Sequence, residues 1–229
     1  MKGADMADLL NIFTAPAAVF TKLKEKPKWV TPFLVVVVVI ALSSAFTFKL
    51  GQEKIMARQE QVMRERGLTD EQIEKAQEFS RGSIPIVFSL IGGALYTTII
   101  ILLFSLVLHL LTPVFGGESN FRLTFSVVCY SSLVIALAGI LKVILVGITH
   151  SPFISTSLTL FAPNLPEKTF LYKFLSGFDF FVIWEMALVA LGISITNRIK
   201  KDNAYILVFA IWFVSIFIGI GLGRLGGRG

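Results

Sequence analysis

From Ile84 to Leu111 the chain runs through apolar residues without one fully charged side chain. About 20 such residues cross the ~30 Å hydrocarbon core of a bilayer as a helix, because only a helix or a closed barrel satisfies its backbone polar groups there. The same pattern recurs over 30–50, where Trp29 and Pro32 precede the unbroken run from Val35 to Ile40, and again over 123–148, 171–196 and 204–222. The expected fold is all-α: a polytopic membrane bundle of five transmembrane helices forming a single membrane domain over 1–229. Composition agrees, with 55% hydrophobic and 16% charged residues against about 45–50% and about 25% in soluble domains. The lipid bilayer is therefore the first expected partner. The net charge of +6 reads as a topology signal at span ends and not as a nucleic-acid footprint. Cys129 is the single cysteine, which excludes an intramolecular disulfide or a zinc cluster. His109 and His150 stand isolated, and no GxSxG, HExxH or phosphate-cradling loop occurs, so no metal, no cofactor and no enzymatic reaction is expected.

Residues 1–28 do not form a signal peptide, since Asn11, Thr14 and Pro16 interrupt the apolar stretch and the charges follow it; the N-terminus is expected to be retained. Leu9, Leu10, Ile12, Phe13, Val19, Phe20 and Leu23 fall near helical spacing, followed by Lys22, Lys24, Lys26 and Lys28. That pattern predicts an interfacial helix whose basic cluster meets the membrane surface. Residues 52–81 differ sharply, with six basic and seven acidic side chains. Gly67 fits a helix stop and Thr69 with Gln72 fits a capping box, so this stretch reads as an extramembrane helical hairpin turning at Arg66 to Thr69. It is either a solvated connector or a docking surface. The lysines before the first span and Arg198, Lys200 and Lys201 between the fourth and fifth place the N-terminus in the cytoplasm and the C-terminus outside.

Ionisable groups inside spans are the default functional candidates, and here they are Lys142, Asp179 and Glu185. The fourth span holds about 13 strongly apolar residues worth about −0.5 kcal/mol each, against about +2.5 to +3.5 for each acid. Two acids nearly cancel that gain, so both cannot face lipid. Lys142 and Asp179 fall at similar depth in neighbouring spans, about 8–9 Å below the same membrane face, and can pair. Glu185 then needs a separate partner, such as Tyr130 or Ser131, or a water-filled path. Two readings stay open: a structural polar cluster, or an ion or proton pathway. Ser215, Gly219, Gly223 and Gly227 repeat every four residues and form a helix-packing face, which closes a bundle as readily as it makes a homo-oligomer.

The order of motifs is similar to the bacterial branch of the Yip domain family, named for the Ypt/Rab-interacting proteins. The resemblance rests on Asn11-Ile12-Phe13 through Pro16 and Phe20 to Pro27-Lys28-Trp29-Val30-Thr31-Pro32, then on Phe115-Gly116-Gly117-Glu118-Ser119-Asn120-Phe121 leading to Tyr130-Ser131. It continues through Phe178-Asp179-Phe180-Phe181-Val182-Ile183-Trp184, Gly192 and Asn203-Ala204-Tyr205. The resemblance implies a five-span protein of a bacterial cell membrane with a cytoplasmic N-terminus. It marks Pro16, Pro27, Trp29, Pro32, Gly116, Gly117, Asp179, Trp184 and Gly192 as family-pattern positions without giving them a reaction. The expected function is a non-enzymatic membrane-organising or scaffold protein with a membrane or cytosolic protein partner; the alternative is a small channel or transporter using the charges of spans three and four.

Overall fold

The computed structural model describes residues 3–226, with side-chain surroundings over 6–222. The described elements are helical: α1 (Gly3–Thr14), α2 (Pro16–Glu25), α3 (Val30–Glu65), α4 (Asp70–Arg81), α5 (Ile84–Leu111), α6 (Phe121–Ser131), α7 (Leu133–Thr149), α8 (Phe170–Ser176), α9 (Phe180–Thr196) and α10 (Lys201–Gly226). Among the described residues, four stretches are long and apolar enough to cross a membrane: Val30–Glu65, Ile84–Phe115, Phe121–Thr149 and Lys201–Leu222. The expected fourth span, 171–196, is divided. Its apolar part is α9, whose 17 residues make a helix of about 25 Å.

The chain folds as two compact units. The first contains the residues up to Val36, Thr98–Ala136, and those from Ser155 onward. Here α9 packs against α2, α6 and α10, and Val127, Val128, Val189, Ile193 and Leu207 are buried. In place of one interfacial helix over 1–28 there are two, because Pro16 occupies the first turn of α2, where its fixed φ suits a helix start and its missing N–H costs nothing. The apolar face foreseen for lipid is buried inside protein: Ile12, Val19, Phe20 and Leu23 lie in the core. Pro32 is also buried, and Trp29 meets Phe125 edge-on at 5.3 Å between ring centroids.

The second unit contains Val37–Thr97 and Leu137–Ile154. The helix that begins as the first span does not stop near Gly51 but continues to Glu65, 36 residues in all and about 54 Å. Gly51 serves a close approach, since a Cβ there would stand 2.7 Å from Pro152 Cβ. The turn foreseen at 66–69 is present. Gly67 has φ 78°, and Thr69 Oγ1 accepts from Gln72 N while Thr69 N donates to Gln72 Oε1 at 3.0 Å. Helix α4 folds back on α3 with Ile73 buried; Gln77 Nε2 donates to Glu60 Oε2 at 2.7 Å and Gln52 Nε2 to the Ser80 carbonyl at 2.7 Å. Glu60 and Asp70 flank the Arg64 guanidinium at 3.0 and 2.9 Å and raise its pKa above the ordinary value. Within the bundle, Gly93 lets α5 approach Ser44 and Ala41, and Gly139 lets α7 approach Ile40 and Ser43.

Candidate functional site: the polar joints of the bundle

Of the three ionisable groups foreseen inside spans, Asp179 begins a helix. Helix α8 ends at Ser176, and Gly177 lies against Ile216 so closely that a Cβ would come within 2.8 Å of Ile216 Cγ1. Asp179 is extended, and its Oδ1 accepts from Phe181 N at 2.8 Å and Val182 N at 3.3 Å, while Oδ2 accepts from Thr156 Oγ1. The first N–H groups of a helix lack intrahelical acceptors, and the helix dipole favours an anion there. The chain around Thr156 straps across the break: Leu158 N donates to Phe178 O at 3.1 Å and Phe180 N to Thr156 O at 3.3 Å. Ser155, Ser157 and Thr159 close a ring of hydroxyls at 2.7–3.0 Å beside it. Lys142, foreseen as the partner of Asp179, lies in the second unit and is exposed on α7.

Glu185 sits on α9, and Ser132 Oγ donates to its Oε1 at 2.5 Å. The residues weighed from the sequence were Tyr130 and Ser131, both buried; the group used is the next one, Ser132, at the joint between α6 and α7. Trp184, one residue before it, meets Phe13 of α1 at 5.9 Å. About two turns further along, Gly192 receives α2. A Cβ at Gly192 would collide with Val127 Cγ1 and stand 3.0 Å from Phe20 Cε1.

The Gly116-Gly117 motif forms the most heavily bonded joint. Gly116 holds φ 82°, a backbone region open chiefly to glycine. Gly117 is pressed against Thr112, Ile199 and the Asn197 carbonyl, its missing Cβ leaving gaps of 2.7, 2.9 and 3.1 Å. Glu118 N donates to Asn197 O at 2.7 Å. The buried Asn197 returns two bonds, from Nδ2 to Glu118 O and to Thr124 Oγ1, both 3.0 Å, and its Oδ1 accepts from Thr196 at 2.6 Å. Arg198 turns to φ 53° and pairs with Glu118 at 2.8 Å, while Asn203 Nδ2 donates to Phe115 O at 3.0 Å. Asn197 and Thr124 were not singled out from the sequence; the available cue was an Asn immediately after an apolar helix, a favoured stop.

Nearby, Ser119 Oγ lies 2.5 Å from His109 Nδ1 and 2.7 Å from the His109 carbonyl. A carbonyl only accepts, so the hydroxyl proton goes to it and the ring N–H bonds the oxygen; this is a helix-end clasp, not a base activating a nucleophile. Among the described residues there is no group of three His, Cys, Asp or Glu that could hold a metal.

The remaining expected positions lie on surfaces. Lys22 pairs with Asp8 at 2.6 Å, and Lys24, Lys26 and Lys28 are exposed, with Pro27 half-buried among them. Ser215 Oγ is spent on the Trp212 carbonyl, and Gly219 has open space where its Cβ would be. Gly227 and the surroundings of Gly223 lie outside the described residues.

The Yip1 domain model matches residues 10–223. The chain belongs to the Yip1 domain family. It is an integral membrane protein, and its Yip1 domain contains every joint described above. The chain is similar to "Membrane protein YknW" of Bacillus subtilis (strain 168), with 27% identity over 220 residues that cover 93% of this chain and 90% of that protein. No solved structure matches.

Proposed function

We propose that this Yip1 protein is a non-enzymatic scaffold of the bacterial cell membrane, with its N-terminus in the cytoplasm and its C-terminus outside. The observation that supports it is how the bundle's polar groups are used. Asp179 caps a helix, Glu185 takes a serine hydroxyl, and Asn197 closes a turn. Groups spent in this way fix helix ends and register; a permeation path keeps its polar groups available to water or an ion. The surfaces offered for contact are the exposed lysines from Lys22 to Lys28, at the end of α2 and just beyond it, and the α3–α4 hairpin.

The test is flux in proteoliposomes for protons, Na⁺, K⁺ and Cl⁻, comparing wild type with Glu185→Gln and Lys142→Gln. Background flux in all three proteins is expected. Flux in wild type that falls in both variants would overturn the scaffold reading in favour of a channel or transporter.

A further inference from the structure

Helices α8 and α10, both in the first unit, leave a groove of about 300 Å³ between them. Lys173 and Ser176 line it from α8, and Ser215, Ile216, Gly219 and Ile220 from α10. Both serines have already committed their protons. Ser176 Oγ donates to the Lys173 carbonyl at 2.7 Å, and Ser215 Oγ to the Trp212 carbonyl at 2.6 Å. Lys173 is half-buried, and no carboxylate among the described residues pairs with its ammonium or lines the groove. The remaining surface is apolar, with Ile216 and Ile220 buried and open space where a Gly219 Cβ would stand. One uncommitted cation beside an apolar floor matches a ligand with one anionic group beside a hydrocarbon chain.

We infer that this groove holds one phospholipid of net negative headgroup, its phosphate paired with Lys173 and the upper part of one acyl chain laid over Gly219. The inference goes beyond the scaffold reading and does not depend on it. The depth of the groove supports it. Ser215 lies about 21 Å and Ile220 about 28 Å along α10 from the basic start at Lys201, near the far edge of a ~30 Å hydrocarbon core. Gly177 packs against Ile216, and Phe174, one turn earlier, meets Phe213 and Phe217 at 6.2 and 6.0 Å between ring centroids. Helix α8 is thereby held alongside that end of α10, where lysines extend their stems to the phosphate layer.

Three other occupants fit less well. A free anion would leave its water for a single ammonium and an apolar floor, which does not replace lost hydration. A zwitterionic phospholipid carries its own cation beside the phosphate, so Lys173 adds less to its binding. A second copy could use Ser215 and Gly219, whose spacing lets helices approach closely. A closed dimer is isologous, however, and the same surface patch then meets itself. That would bring two Lys173 ammoniums together with no lining carboxylate between them, and like charges opposed across an interface are unfavourable.

The experiment uses the full-length protein in phosphatidylcholine nanodiscs that contain a trace of photoreactive lipid, either phosphatidylglycerol or phosphatidylcholine with a diazirine near the carboxyl end of one acyl chain. After irradiation, peptide mass spectrometry measures the label on residues 212–222. Phosphatidylglycerol is expected to label this stretch about fivefold more than phosphatidylcholine, or ~1 kcal/mol for one lysine. Lys173→Gln is expected to bring the two lipids level, with phosphatidylcholine labelling unchanged because the groove still forms. Lys173→Arg is expected to keep the excess, and so is Lys142→Gln, which alters an exposed lysine of the second unit. Equal labelling of the wild type by both lipids, or an excess that survives Lys173→Gln, would overturn the inference. So would a dimer in which residues 212–222 are shielded from both lipids, which would make the groove a contact between copies.

Discussion

Asn197→Asp keeps the shape of a buried side chain and removes both of its N–H donors. In the wild type those donors reach Glu118 O and Thr124 Oγ1 at 3.0 Å each, from a residue only 1% exposed. A buried neutral hydrogen bond contributes about 0.5–1.5 kcal/mol net, with acceptors left unsatisfied costing about 1–3 kcal/mol; side-chain bonds in membrane bundles average about 0.6 kcal/mol. Thr124 can turn its hydroxyl toward the new carboxylate, but the Glu118 carbonyl cannot, and it then faces an anion. The expected loss is about 2–4 kcal/mol. The neighbouring ion pair sets the comparison. Glu118 and Arg198 are 68% and 65% exposed along their side chains, where a pair contributes about 0–1 kcal/mol, and Glu118→Ala keeps the backbone bonds to Asn197. Unfolding by sodium dodecyl sulfate from mixed micelles, followed by far-UV circular dichroism, measures both. The reasoning fails if Glu118→Ala costs as much as Asn197→Asp, or if Asn197→Asp falls within about 0.5 kcal/mol of wild type, a size ordinary for exposed surface changes.

At Gly192, substitution by Ala is expected to cost about 1–3 kcal/mol by overpacking in the same assay. Val127→Ala in that background should recover more than Phe20→Leu, because the Val127 methyl is the nearer atom and β-branched side chains turn least easily; the opposite order would refute it. Replacing Lys22, Lys24, Lys26 and Lys28 with Gln removes about 1 kcal/mol of attraction to an anionic leaflet per side chain, less at Lys22, which Asp8 holds at 2.6 Å. Anionic phospholipid retained through purification is expected to fall severalfold, and unchanged lipid content would count against the basic cluster as a surface contact.

The features legible in the sequence were those whose cause lies within a few residues. Thr69 and Gln72 are three positions apart, so their capping box could be read directly and is present. Apolar blocks also declare themselves locally, because crossing hydrocarbon is a property of about 20 consecutive residues. An amphipathic face is a different matter: the pattern of Ile12, Val19, Phe20 and Leu23 is the same whether its partner is lipid or protein. Only the position of α9 and α6 decides for protein.

The division of the fourth apolar block shows where local reading misleads. Counted by hydropathy, Asp179 is a charge to be neutralised, and the natural search is for a cation at the same depth. Counted by backbone, Ser176-Gly177-Phe178-Asp179 is a stop followed by a cap, and the two amide N–H groups of Phe181 and Val182 supply what a lysine was expected to supply. The second reading was available in four consecutive residues; its confirmation by Thr156, 23 positions away, was not. The same holds at Asn197, whose partners Glu118 and Thr124 are 79 and 73 positions distant. Within hydrocarbon every helix end exposes backbone groups that water cannot satisfy, so a bundle that breaks its helices must set polar side chains at the breaks. Charge inside a membrane block therefore has a structural use that precedes any transport, and position relative to a helix end separates the two. By that criterion Asp179 is spent on a helix end, and Glu185, five residues into α9, is spent on the hydroxyl of Ser132 at the α6–α7 joint, so Glu185→Gln is the variant whose flux tests the criterion most sharply.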